Sequence, residues 1–271
     1  MTEAIAQRVQ RSLIATELST ISVLIRRDLT RFVRERTRIV GALVQPLIFW
    51  LVIGSGMSST FRLPGAEEVN YQEYFFPGVV VMVVLFTAIF TTMSVIEDRH
   101  SGFLQAVLVA PGSRVSVVLG KCLGAAIIAV IQGLVFVLLS PLAGFDLLQI
   151  AWPEVLLGLS LSALSLCTLG FGVAWWLDST AGYHVVMSLV LLPLWILSGA
   201  MFPGGSGIMA TIQRYNPMSY AVSVVRRGIY GSHLPEGMTL LTGSALLELL
   251  VLAVFFAASA AWAIRLCYRR R

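Results

Sequence analysis

The sequence predicts an all-α polytopic membrane protein: six transmembrane helices, an N-terminal amphipathic interface helix and a re-entrant outer segment before the last span. Three observations carry this. Hydrophobic residues make up 57% of the 271-residue chain and charged residues only 12%, about half the roughly 25% of a soluble domain. Too little polar surface remains to cover a soluble core. Six apolar runs, near 39–57, 75–96, 118–140, 154–177, 184–202 and 241–264, each approach or exceed the ~20 residues a helix needs to cross a hydrocarbon core of ~30 Å. The basic residues are also lopsided. With both termini on one side, the arm, the loop between spans two and three and the tail hold fifteen of the 19 Lys and Arg; the other side holds Arg62, Arg214, Arg226 and Arg227. By the positive-inside rule both termini are cytoplasmic. The formal charge of +5 is then topological, with some attraction to anionic membrane lipids, and does not point to nucleic acid.

The chain reads as one transmembrane domain over 1–271, with a cytoplasmic arm (1–38), six spans (39–264) and a cytoplasmic tail (265–271). The start, MTEAIAQRVQ, lacks the basic-then-apolar form of a cleaved signal peptide, so the first span is expected to serve as the insertion signal. In TISVLIRRDLTRFVRERTR (20–38), Ile21, Ile25, Leu29 and Phe32 recur at helical spacing, with Arg27, Arg31, Arg34 and Arg38 on a different face. An apolar stripe opposite a basic one, just before a span, suits a helix lying in the cytoplasmic interface; a solvated basic helix is the plainer alternative. Pro46 is expected to kink span one. Gly120 and Gly124 in span three have a small-xxx-small spacing that permits close helix approach. Trp175 and Trp176 end span four as an aromatic belt, and Pro193 interrupts span five. The stretch 203–238, rich in Gly and Pro with moderately apolar helical pieces, is long for an outer loop and too broken to span. It is expected to dip part-way back from the outer surface.

Most enzyme chemistry is excluded. Gly120-Lys121 lacks a glycine five residues earlier and is followed by Cys122 where a phosphate-binding loop needs Ser or Thr. His100, His184 and His233 are scattered, with no metal-ligand spacing. Gly204-Gly205-Ser206-Gly207 matches the nucleophile motif of rhomboid-type intramembrane proteases, but His184 begins the preceding span, roughly 30 Å away along that helix, and a glycine turn explains the motif better. Cys122, Cys167 and Cys267 read as small packing residues. Glu248 is the one carboxylate well inside an apolar run. It is a candidate intramembrane polar site for substrate or proton, or an interfacial residue if its span begins near 246. An ion-gradient-driven secondary transporter is the alternative function; such proteins usually place several ionisable groups near the midplane.

One charged, half-apolar insert remains between spans two and three: EDRHSGFLQAVLVAPGSRVSVVLGK (97–121). Glu97, Gly102, Leu104, Leu108, Pro111, Arg114 and Gly120-Lys121 in this loop resemble the loop of the membrane subunit of ABC-2 type exporters, the type-2 ATP-binding-cassette permeases. Phe103 and Gln105 stand where that family's Gly-Thr-x-Glu has Thr and Glu. The resemblance continues in Pro193, Leu197-Ser198-Gly199, Phe202-Pro203, Asn216-Pro217, Tyr220 and Arg226 or Arg227, and covers nearly the whole chain.

The resemblance implies an export permease in a plasma (bacterial inner) membrane. It implies no ATPase site and no bound cofactor in this chain, since ATP-Mg sits on a separate ATPase subunit. Residues 97–114 would be the coupling helix docking in that subunit. Phe103, Leu104, Val107 and Leu108 would form its apolar contact, and Glu97, Asp98, Arg99 and Arg114 its charged rim. A homodimer, or a heterodimer with a similar permease, would hold the pathway, lined by spans one, two and five. Pro203, Asn216, Pro217, Tyr220, Arg226 and Arg227 would belong to the segment closing its outer mouth, with the two arginines facing anionic headgroups or an anionic substrate. The substrate class is drug-like, lipid or glycan.

Overall fold

The computed structural model describes residues 2–58, 68–110, 112–204, 207–235, 238 and 241–269, with side chains from residue 14 onward except that of Arg38. The described residues contain no strand. Six of their helical segments are long and apolar enough to cross a membrane: Ile39–Met57, Tyr71–His100, Arg114–Val137, Trp152–Trp176, Thr180–Ala200 and Ala245–Arg269.

A long first helix, α1 (Thr2–Arg34), is separated by Glu35 from α2 (Arg36–Met57), which contains Pro46. The central element is α3 (Tyr71–Thr92), begun by Asn70, whose side chain accepts the Glu73 N–H at 2.8 Å. That cap satisfies one of the donors a helix start leaves free. Every residue from Tyr74 to Ile89 is buried, and a helix apolar all round belongs in the middle of a bundle. It is packed by α2, α6 (Arg114–Val137), α7 (Trp152–Trp176) and α10 (Pro217–Tyr230).

Outside this centre lie α8 (Thr180–Trp195), extended by a π-helical turn over Ile196–Ala200, and α11 (Ala245–Arg269), which packs chiefly on α7. The outward rows of α2 (Val40, Val44, Ile48, Leu51), α8 (Val185, Leu189) and α11 (Leu246, Leu250, Val254) are apolar and exposed, as surfaces facing lipid or a second membrane protein must be. Inside, polar side chains tie the helices together. Gln132 of α6 bonds Thr87 of α3 and the Ile39 carbonyl of α2, and Thr92 of α3 meets the Tyr183 hydroxyl of α8 at 2.6 Å. Such bonds are the polar glue of membrane bundles.

Two ends of the bundle matter for function. At one, α3 continues through α4 (Ser94–His100) into α5 (Phe103–Val109) and back into α6. At the other, α9 (Ile208–Tyr215) and α10 form a corner between α8 and α11.

α1 runs beside the first half of α6. A Cβ on Gly120 would sit 3.0 Å from Leu24 side-chain atoms and 3.3 Å from the Ile21 Cα. The small-xxx-small pair thus receives α1 itself. The most deeply buried α1 residues of this contact are Leu24 and Asp28; the stripe Ile21, Ile25, Leu29 and Phe32 is half-buried.

Candidate functional site

The α4–α5 segment begins as the last turns of a buried helix. α4 ends where Gly102 takes φ +76°, a left-handed conformation that glycine adopts without a Cβ penalty. The chain turns there and α5 starts. Seven residues cannot sustain a helix alone, so α5 must bury one side on its own chain.

That requirement decides which side faces out. The resemblance implies that Phe103, Leu104, Val107 and Leu108, which share one helical face, form a docking contact; in the fold this face turns inward. Leu104 is 1% exposed, and Phe103, Val107 and Leu108 pack half-buried against the same core. Arg27 of α1 lies over the Phe103 ring, 3.6 Å from its centroid, a cation–π contact. The face left open carries Gln105, Ala106, Val109 and Ala110, with Val109 87% exposed. Pro111 lies outside the described residues.

The charges expected at the rim are likewise used within the chain. Arg27 donates to both carboxylate oxygens of Asp98, at 2.9 and 2.7 Å. Arg31 donates to Glu97 at 2.5 Å and to Glu35 at 2.8 Å. Lys121 of α6 reaches Asp98 on one side and both oxygens of Asp28 on the other, at 2.9 and 3.1 Å. The side chains of Asp98 and Lys121 are each 2% exposed. Burial raises the Asp28 carboxyl above the usual range against the opposing pull of Lys121. A water-sized cavity of about 30 Å³, lined by Asp28, Arg31 and Glu35 together with Phe32, Phe90 and Ile128, adjoins the cluster.

The flanks are anchored too. Arg99 bonds Asp178 and the carbonyls of Trp175 (2.9 Å) and Leu177 (3.2 Å), at the C-terminal end of α7. Arg114 donates to the Cys267 carbonyl of α11 at 2.7 Å. Glu17 of α1 accepts from the Ser113 N–H at 3.1 Å, the Ser113 hydroxyl at 2.8 Å and the Ser116 hydroxyl. A carboxylate at the start of α6 suits the positive end of the helix dipole. The bonds from Ser116 and Ser113 hold the Glu17 carboxyl below its ordinary value.

The opposite end has its own cluster, at the broken end of α8. A π-helical turn shifts the hydrogen-bond ladder and releases carbonyls, and Gly199 within it has φ +84°. Asn216, which caps α10 by accepting from the Met218 N–H, donates its other amide group to the Leu194 carbonyl at 2.6 Å. Tyr71 donates to Met201, while Tyr74 (2.7 Å) and Arg226 (2.8 Å) both donate to the Gly199 carbonyl. Pro217 occupies the first turn of α10, where its missing N–H costs nothing. Tyr220 closes α9 on the Arg214 carbonyl at 2.7 Å, and half-buried Pro203 follows the π turn.

Glu248, 0% exposed, accepts from the Ser223 hydroxyl at 2.8 Å and from Thr242, with Arg227 at 3.7 Å. The resemblance implies that Arg226 and Arg227 face headgroups or an anionic substrate. Arg226 instead is 4% exposed over the Tyr74 ring, and Arg227 donates to the Thr242 carbonyl at 3.0 Å. Arg226 is thus enclosed between α10 and α3, whereas the Arg227 side chain stays 19% exposed. Ser206 lies outside the described residues.

A family model for the ABC-2 type transporter matches residues 19–230, from the ion-paired part of α1 to the end of α10. The chain belongs to that family. As an ABC-2 permease it is 27% identical over 230 residues to the daunorubicin resistance ABC transporter permease protein DrrB1 of Streptomyces coeruleorubidus, covering 80% of this chain and 77% of that one. It is 26% identical over 210 residues to the putative transport permease ycf38 of Cyanophora paradoxa (75% and 72%) and over 195 residues to nodulation protein J of Rhizobium leguminosarum bv. trifolii (69% and 72%).

Within the permease, the expected loop residues Glu97, Gly102, Phe103, Leu104, Val107, Leu108 and Arg114 do come together, as a clamped segment. Sequence reasoning missed Asp28 and the partner role of Lys121. A signal for Asp28 was present: it falls with Ile21, Leu24 and Phe32 on the inward side of α1, where an acid needs a buried cation.

Proposed function

We propose that this chain is the membrane-spanning subunit of an ATP-binding-cassette export complex, with the α5 end in the cytoplasm and work supplied by a separate ATPase subunit that binds ATP-Mg. The positive-inside charge bias supports that orientation. The observation that carries the proposal is the clamping of the α4–α5 segment: Asp98, Glu97, Arg99 and Leu104 join it to α1, α6 and α7, while Gln105, Ala106, Val109 and Ala110 remain open. A segment fastened to several helices and bare on one side transmits a push, because displacing it displaces them.

Docking accordingly uses the open face, with Val109 as its apolar point, and the buried charges serve stiffness instead of partner choice. Two permease copies, identical or similar, alternate between conformations about an interface that includes the exposed rows of α2 and α8. α9 and α10 dip back from the outer surface and close the mouth. One relative is named for daunorubicin resistance and another for nodulation, and the substrate class proposed here is correspondingly broad: a drug-like, lipid or glycan molecule crossing a plasma (bacterial inner) membrane.

Mild-detergent purification of the tagged chain tests this. An ATPase of separate sequence is expected to accompany the parent protein and to be lost from a well-folded Val109→Asp variant. Absence of any ATPase from the parent, together with transport driven by an ion gradient, would contradict it.

A further inference from the structure

The carbonyl of Gly199 is held from two helices at once: the Tyr74 hydroxyl of α3 at 2.7 Å and Nη2 of Arg226, on α10, at 2.8 Å. Both of its lone pairs are therefore in use. Arg226 is 4% exposed, and its guanidinium stacks on the Tyr74 ring, 4.4 Å from the centroid. Its Nε has no partner among the described residues. A cation so placed is costly to bury, and a helix that merely needed to pack would do better with an apolar side chain. α10 also holds α8 a second time, through Asn216 on the Leu194 carbonyl. The two grips span the π turn, on either side of Trp195, whose indole N–H reaches the Gly78 carbonyl of α3 at 2.8 Å.

We propose that Arg226 is a positioning residue of the outer gate: by holding the Gly199 carbonyl it ties α10 to the broken end of α8, and the gate opens by releasing that bond. This rests on the export reading above. The donor arrangement suits a reversible clasp. When Arg226 lets go, Tyr74 still satisfies the carbonyl, so opening does not strand a buried acceptor at its full desolvation cost. Gly199, with φ +84°, is free of the Cβ restriction that would bind another residue to one conformation there.

The test uses Ser198→Cys as a reporter. Ser198 is buried beside the clasp, and the substitution changes little volume; the native cysteines are all buried. The full chain with its co-purified ATPase is placed in vesicles of phosphatidylethanolamine and phosphatidylglycerol, and the alkylation rate by a membrane-impermeant maleimide is followed with and without ATP-Mg. In the Arg226 parent the rate is slow without ATP and rises with it. Arg226→Met raises the ATP-free rate roughly tenfold or more, the order expected for one charge-assisted hydrogen bond, and the ratio of rates with and without ATP falls towards one. Should Arg226→Met fail to assemble, Tyr74→Phe is read instead: it keeps the ring and the Arg226 bond but removes the donor that satisfies the carbonyl once Arg226 lets go, so the ATP-free rate falls below the parent's. ATP-free rates equal to the parent's in the variant that assembles overturn the clasp. An ATP-insensitive parent counts against the export reading alone, because the clasp is decided by the ATP-free comparison.

Discussion

The guanidinium of Arg27 grips the carboxylate of Asp98 through two bonds, 2.7 and 2.9 Å long, and Lys121 closes on the same carboxylate from α6. One acid on the α4–α5 segment thereby joins the N-terminal helix to a membrane-crossing one. The geometry is fork to fork, the strongest form of such a pair.

Asp98→Asn keeps the shape and removes the charge, leaving Lys121 buried with Asp28 as its remaining close carboxylate. Breaking a buried pair from one side typically costs about 3–5 kcal/mol, and a loss of that order is expected in the thermal stability of the purified permease. A variant as stable as the parent would show that the cluster is not under load. Asp178→Asn, by comparison, removes a carboxylate that is 76% exposed and leaves the Arg99 bonds to the Trp175 and Leu177 carbonyls in place, so its loss should be far smaller.

Glu17 gives a pH dependence of known sign. Its folded carboxyl is held below the ordinary 4.5 by bonds from Ser116 and Ser113. The anchoring of α1 to the start of α6 is therefore fully present above the ordinary value and is lost as pH falls through the lowered one. Melting curves of the parent and Glu17→Gln are expected to differ at pH 7 and to converge as the pH falls below the ordinary 4.5 and through the lowered value. A difference that persists or grows in acid would contradict the anchoring role.

The two glycines of α6 should respond differently to alanine. At Gly120 the new methyl would lie 3.0 Å from Leu24 atoms and 3.3 Å from the Ile21 Cα, whereas at Gly124 its nearest neighbours are at 3.4 Å. Gly120→Ala is expected to destabilise by about 1–3 kcal/mol through overpacking. Gly124→Ala should be near neutral, or slightly favourable through helix propensity. Equal effects at the two sites, in side-by-side melting experiments, would mean that α1 does not pack here as described.

Much of this architecture was legible in the chain because lipid-scale helices need long apolar runs, and those leave little ambiguity. The errors fall at boundaries and at faces. α3 begins at Tyr71 and α6 at Arg114, earlier than the apolar runs suggest, because the Asn70 and Ser113 caps start the helices before the hydrophobic stretch does. The sequence shows that one side of α5 is apolar without saying whether that side meets a partner or its own bundle, and here it packs on the bundle. The burial of Lys121 and Arg226 depends on contacts with Asp28, Asp98, Tyr74 and Gly199, all distant in sequence, which no local spacing reveals. Asp28 was the exception, since an acid on the inward side of α1 could have been noticed.

The central claim is that the open face of α5 is where a separate ATPase binds. Single cysteines at Val109, and at Leu148, which is 93% exposed at the opposite end of the bundle, can carry a photo-activated cross-linker with little competition from the buried native cysteines. In the purified complex the account predicts a cross-link to the ATPase from Val109→Cys and none from Leu148→Cys. A cross-link from Leu148→Cys, or none from Val109→Cys while the ATPase remains bound, would contradict it.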